Sequence, residues 1–256
     1  MAAGELIVRL GLLLLAPGAL VHAAVVDPPP ILYITKLRVK PGRLPDLVQV
    51  ESERVETLRK ARWPRTMISS VSISGAQELW IFARYQSLGE LAADLESIER
   101  MPELRTAIER LDRAEAGSIE SKHSVTATYQ PAISYRPRFD WDEVRYWEII
   151  WVRLRTGHHE AYLENRRMTR EEHEKGAYDT HQMMYAVQSG ELSGTFLVIR
   201  PMKELSLLDD LHAHNDGEPE TPQEERKKVA LFGESALSEE EAFFRVVPAM
   251  SYTPVK

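Results

Sequence analysis

One seven-residue string occurs twice in this chain. Pro131-Ala132-Ile133-Ser134-Tyr135-Arg136-Pro137 returns as Pro248-Ala249-Met250-Ser251-Tyr252-Thr253-Pro254, with five of seven positions identical. A spacing of 115 to 117 residues also superposes Val39-Lys40-Pro41-Gly42 on Leu154-Arg155-Thr156-Gly157, and Arg84 with Asp94-Leu95 on Arg200 with Asp210-Leu211. Self-similarity at a fixed period marks one supersecondary unit used twice. Function has to be sought in sites rather than in a shared scaffold, so the differences between the copies are the informative part.

Ahead of the repeats, Arg9 precedes the apolar run Leu10 to Leu15, and Val21-His22-Ala23 has the small-x-small pattern of a signal-peptidase site. Residues 1–23 therefore read as a secretory signal, with an uncleaved anchor as the alternative, and residues 24–30 as a proline-rich leader. The expected location is periplasmic or secreted, with no membrane span in the mature chain. Cysteine is absent, which excludes disulfides, thiolate metal sites and cysteine nucleophiles together. A net charge of −7 without a Lys/Arg-rich block argues against nucleic acid as a partner. The mature chain, 43% hydrophobic over the full sequence, is long enough to hold itself together by its core.

Each copy has a legible element order. Leu32 to Val39 alternates as a strand and is ended by Pro41-Gly42, and Leu44, Leu47, Val48, Val55 and Leu58 then recur at helical spacing. Two strands joined at Gly75-Ala76 follow. A helix broken at Pro102 and a last strand over Ser124 to Tyr135 complete the unit. The second copy repeats this from Arg145, with a polar insertion at Asn215 to Pro222. The order β-α-β-β-α-β is that of the ferredoxin-like split βαβ unit. The expected fold is therefore α+β: two tandem ferredoxin-like units, residues 31–137 and 138–256, packed sheet to sheet as an intramolecular pseudo-dimer.

In this arrangement the chain resembles a fused member of the dimeric α/β-barrel superfamily. The resemblance rests on element order and on the internal repeat, covers nearly all of the mature chain, and includes no catalytic signature. It implies a fold used by cofactor-independent monooxygenases, haem-degrading oxygenases and chlorite dismutase-like haem proteins, as well as by members without known activity. Further oligomerisation is left open, since the fused pair already satisfies the internal two-fold.

The copies differ in histidine. Of seven beyond the leader, only His123 lies in the first copy, while His158, His159, His173, His181, His212 and His214 lie in the second. An offset of 115 places His159 on Leu44, His173 on Leu58 and Arg170 on Val55; offsets of 116 and 114 place His214 on Ile98 and His181 on Met67. Buried imidazoles need polar partners or an opening to water, because an unsatisfied one costs about 1–3 kcal/mol. A ligand pocket in the second copy would provide the opening. Glu148, aligned with Tyr33, and Arg166, aligned with Glu51, supply charge, while Trp151, Tyr162 and Tyr185 supply flat walls. The same residues also suit structural roles: Glu148 paired to an arginine, the aromatics in a core, histidines turned to the surface.

The expected function is thus an exported protein that binds a small apolar or aromatic molecule in the second copy. His173, His214 and Glu148 are the catalytic candidates; His159, Trp151, Tyr162, Arg166, His181, Tyr185 and His212 are the ligand-binding candidates. Superfamily precedent implies oxygenase-like chemistry with or without haem, and His214, His212 or His173 would then be the axial ligand. His159 and His173 lie 14 positions apart, about 21 Å along one helix, and cannot share an ion. His173 and His181 can, and with a neighbouring carboxylate would suit zinc or non-haem iron. The alternative is a non-catalytic exported binding or assembly protein that works through its surface.

Overall fold

A computed structural model describes residues 27–209 and 222–254. The expected signal peptide at 1–23, His212 and His214 lie outside the described residues. Elements β1 (Ile31–Val39), α1 (Leu44–Lys60), β2 (Met67–Ser72), β3 (Glu78–Tyr85), α2 (Leu88–Glu99), α3 (Pro102–Ala116) and β4 (Ile119–Tyr129) make the N-terminal half. The C-terminal half contains β5 (Tyr146–Leu154), α4 (His159–Lys175), β6 (Met183–Ser189), β7 (Thr195–Met202), α5 (Pro222–Ser235) and β8 (Ala236–Val246). Local chemistry sets several boundaries. Ser87 caps α2 by accepting from the Glu90 amide at 3.1 Å. Pro102, which has no N–H to continue a helix, opens α3 instead.

The eight strands close into one antiparallel barrel in the order β1-β3-β2-β8-β5-β7-β6-β4. This corrects the expectation of two tandem ferredoxin-like units packed sheet to sheet. The sheet is continuous across both seams, with Ser70 opposite Val246 and Ser72 opposite Phe244 where β2 meets β8, and Thr128 opposite Ala186 and Tyr129 opposite Tyr185 where β4 meets β6. Two separate sheets would have left strand edges with unpaired N–H and C=O groups; closure pairs them. At the second seam the backbones come so close that a Cβ on Gly190, which has φ +88°, would lie 2.0 Å from the Ser124 carbonyl oxygen. The expected last strand of the first copy, Ser124 to Tyr135, is also shifted toward the N-terminus, to Ile119–Tyr129. Pro131 and Pro248 instead begin short 3-10 turns, Pro131–Ile133 and Pro248–Met250.

Those turns explain the repeated heptapeptide. Ser134 Oγ accepts from the Met184 amide at 3.0 Å, and the Tyr135 hydroxyl donates to the Tyr178 carbonyl at 3.1 Å. Reciprocally, Ser251 Oγ accepts from the Ser69 amide at 3.0 Å, and the Tyr252 hydroxyl donates to the Trp63 carbonyl at 2.8 Å. Each copy of the string therefore clasps the opposite half.

Strand alternation divides the core in two. Leu32, Ile34, Phe82, Trp147, Leu197 and Phe244 fill the barrel. On the outside, Leu37 and Leu79 pack under Leu47 of α1, while Ile150, Val152 and Phe196 pack under Tyr162 of α4. Among the described residues no helix is long and apolar enough to cross a membrane.

Candidate functional site

The outer face of the C-terminal half carries a cavity of about 300 Å³. Its floor is set by strand register. Glu148 of β5 lies directly opposite Arg200 of β7, on the helix-facing side that also carries Ile150 and Val198. Arg200 Nη1 donates to both Glu148 oxygens at 2.8 and 2.9 Å. The Arg200 Nε–H and Nη2–H groups make no hydrogen bond among the described residues, and Arg200 lines the cavity. Glu241 of β8 sits across from Ile150, diagonal to Glu148. Burial raises its pKa above the usual carboxylate range, and the Glu148 charge and a carboxyl hydrogen bond between the two add to this.

His181 forms a side wall. Its Nδ1 lies 2.6 Å from the Arg136 carbonyl, which can only accept, so Nδ1 carries the proton and a neutral ring leaves Nε2 as an acceptor. Next to it, the buried Thr180 hydroxyl has no partner among the described residues. Pro201, Met202, Leu207 and Leu208 make the apolar wall, with Asp179 and Lys203 also on the lining. A smaller cavity of about 130 Å³, bounded by Phe139 and Val144, shares His181, Pro201, Met202 and Lys203 with the first.

Glu148 and His181 are therefore the sequence-proposed residues that the fold brings to one cavity. His173 is buried and does not line it; its ring is edge-on to Tyr135 at 5.3 Å and Tyr178 at 5.1 Å, and its Nδ1 has no partner among the described residues. Burial, followed by the nearby Arg200 charge, lowers its pKa to about 4, so the ring is neutral at pH 7. Tyr162 is fully buried against Phe196, and burial pushes its hydroxyl up to about 12. Arg166 lies over the Tyr162 and Phe232 rings and donates from Nε to Asn165 Oδ1 at 2.7 Å; burial lowers its pKa. Trp151 and Tyr185 face the barrel interior, where Trp151 stacks on Lys36 at 4.2 Å and Tyr185 donates to the Pro29 carbonyl at 3.2 Å. His159 is exposed and packs 5.5 Å from Phe196.

Sequence reasoning missed Arg200, Thr180, Met202 and Leu208 as site residues. Arg200 had been matched with Arg84 across the repeat, and nothing local in the sequence marks its donors as unspent.

Among the described residues no group of three or more His, Asp or Glu side chains could hold a metal ion. Haem also meets a poor fit among them. The cavity volume is at the low end for small-molecule pockets, about 300–1,000 Å³; His181 is its imidazole, and His173 is enclosed by two tyrosine rings. The groups present suit a compact organic molecule better than a tetrapyrrole.

No protein-family model matches the sequence, and no curated protein does. Similar solved structures exist. A monooxygenase candidate from Fusobacterium nucleatum is 8% identical with a TM-score of 0.58, the match covering 86% of this chain and 93% of that one. An anthrone oxidase-like protein is 8% identical with a TM-score of 0.58, covering 88% and 94% respectively. A mutant chlorite dismutase from Candidatus Nitrospira defluvii is 8% identical with a TM-score of 0.51, covering 88% and 95%. At such identities the likeness is one of fold. It singles out no family.

Proposed function

We propose that the protein binds a small aromatic molecule with an acidic or enolisable oxygen in the outer cavity of its C-terminal half, and that it acts on that molecule as a cofactor-independent oxygenase. The observation that carries this reading is a cavity with an apolar wall in which Arg200 keeps donors unspent among the described residues, beside the imidazole of His181. An apolar wall holds the ring system, and the guanidinium favours the oxyanion over its neutral acid by charge-assisted hydrogen bonding. His181 Nε2 is the base that takes the proton, with its ring oriented through Nδ1–H and the Arg136 carbonyl. Glu148 holds Arg200 in place, and the Thr180 hydroxyl offers a further hydrogen bond. The resulting electron-rich anion is the form that dioxygen attacks in an oxygenase. Export, suggested by the leader sequence, belongs to the same proposal.

Anthrone is a suitable probe, since it joins three fused rings to an enolisable ketone and one structural neighbour is named anthrone oxidase-like. Oxygen uptake above the spontaneous rate should be seen with the full chain. It should fall at least about a hundredfold in His181→Phe, in line with loss of a general base. Leu208→Trp, which fills the cavity without touching its charges, should abolish both uptake and quenching of protein fluorescence by anthrone. Binding without oxygen uptake would favour the non-catalytic alternative, and equal binding by Leu208→Trp would remove the cavity from the reading.

A further inference from the structure

The barrel interior holds a second set of unspent polar groups. Arg84 of β3 is in phase with Trp80 and Phe82, both in the barrel core, and so points inward, opposite Leu32. Its guanidinium lies 4.5 Å from the centre of the Trp141 ring, at the end of the barrel where Phe139, Trp141 and Val144 pack against the core. It is half-buried and forms no hydrogen bond or ion pair among the described residues. Its titratable neighbour is not a carboxylate but the uncharged Tyr185 phenol, whose hydroxyl is already donated to the Pro29 carbonyl. Guanidinium keeps its charge under these conditions, and a charge withdrawn from water without a counter-charge is costly.

Two further donors in the same ring cluster also lack acceptors. The indole Nε1–H groups of Trp141 and Trp147 are both buried and have no partner among the described residues, and the two rings are 5.5 Å apart. Phe139 packs 4.7 Å from Trp141 and 6.2 Å from Trp147. Arginine and indole have donors and no acceptors, so the group missing from this cluster is an acceptor. A guanidinium fork matches a planar oxyanion, and the aromatic surroundings favour a compact one with little hydration.

We propose that the end of the barrel at Phe139 and Trp141 binds a small planar oxyanion of carboxylate type on Arg84, with the indole N–H groups of Trp141 and Trp147 as additional donors. The inference is independent of the outer cavity, because Arg84 and Arg200 face opposite sides of the sheet. Its chemical class is that of formate, acetate or bicarbonate, bound as a ligand or as the carboxylate end of a larger molecule.

Formate is the probe, with chloride at equal ionic strength as the control. Titration of the full chain should change tryptophan emission saturably and raise the melting temperature with formate concentration, as mass action requires of a ligand of the native state. Arg84→Met should lose both responses. Arg84→Lys, which keeps the charge but not the fork, should weaken the apparent Kd at least about tenfold. Anthrone binding at the outer cavity should be unchanged in both variants, so failure of one site is distinguishable from failure of the other. Formate responses no larger than those to chloride, or equal in Arg84→Met and the parent chain, would overturn the proposal.

Discussion

His173 shows how a single substitution type can set acid sensitivity. Its side chain is held neutral by burial, with a folded pKa of about 4 against about 6.5 when unfolded. A lowered pKa means that the fold prefers the deprotonated ring. Its contribution is therefore complete above about pH 6.5, shrinks as the pH falls, and is gone below about pH 4. At about 1.4 kcal/mol per pH unit this amounts to about 3 kcal/mol at most. His173→Leu should flatten the fall in melting temperature between pH 6.5 and pH 4 relative to the parent chain. At pH 8 it should melt no lower, because the buried Nδ1 has no hydrogen bond to lose. A variant that keeps the parent's acid limb would show that other groups produce it. At the same scale, Arg84 and Arg200 teach caution about aligned residues. They match at an offset of 116, yet the interior pairs Ile34 and Ile149 match at 115. One residue of slip in a strand reverses the face, which is why one arginine points into the barrel and the other out of it.

Helix α1 illustrates what periodicity conveys about an element and what it omits. The apolar stripe through Leu47, Val55 and Leu58 predicts a helix ending near Arg62, and α1 runs from Leu44 to Lys60. The gap in that stripe is filled by charge. Glu51 and Arg54 are buried, with Arg54 Nε donating to both Glu51 oxygens at 3.1 Å and Nη2 donating to Glu115 of α3 at 2.8 Å. Burial raises the Glu51 pKa, and the Arg54 charge opposes that rise. Two nearly inaccessible carboxylates thus share one guanidinium. Removing it by Arg54→Met should destabilise the protein by about 3–5 kcal/mol, since Glu51 loses its partner and Glu115 is left with Lys122 alone, at 3.0 Å. Replacing Glu51, Arg54 and Glu115 together by apolar residues of similar volume should recover most of that loss. Denaturant unfolding of the two variants checks both expectations, and equal losses would show that the network's packing, not its charge, matters.

Closure of the barrel governs the whole molecule. A fragment of residues 27–137 would keep β1 to β4 but lose the partners of β2 and β4 across the two seams. Exposed strand edges pair with whatever is available. We therefore expect the fragment to self-associate or aggregate where the full chain does not, as light scattering would show; a stable monomeric fragment would mean that the seams add little. The sequence by itself determined the elements and their order, because helical and strand periodicity and the breaks at Pro41-Gly42, Gly75-Ala76 and Pro102 are local signals that neighbours a few residues away already fix. It also marked Glu148 as a charge on an apolar strand face and His173 as an imidazole in place of a core leucine, both of which are buried. Only the tertiary structure decided that the strands form one closed sheet, that the heptapeptides clasp opposite halves, that Trp151 and Tyr185 are interior, and that Arg200, His181 and Leu208 meet at one cavity. Those outcomes depend on cross-strand register and on contacts between residues far apart in the chain, where a slip of one position reverses every side chain and no local pattern records which edge finds which partner.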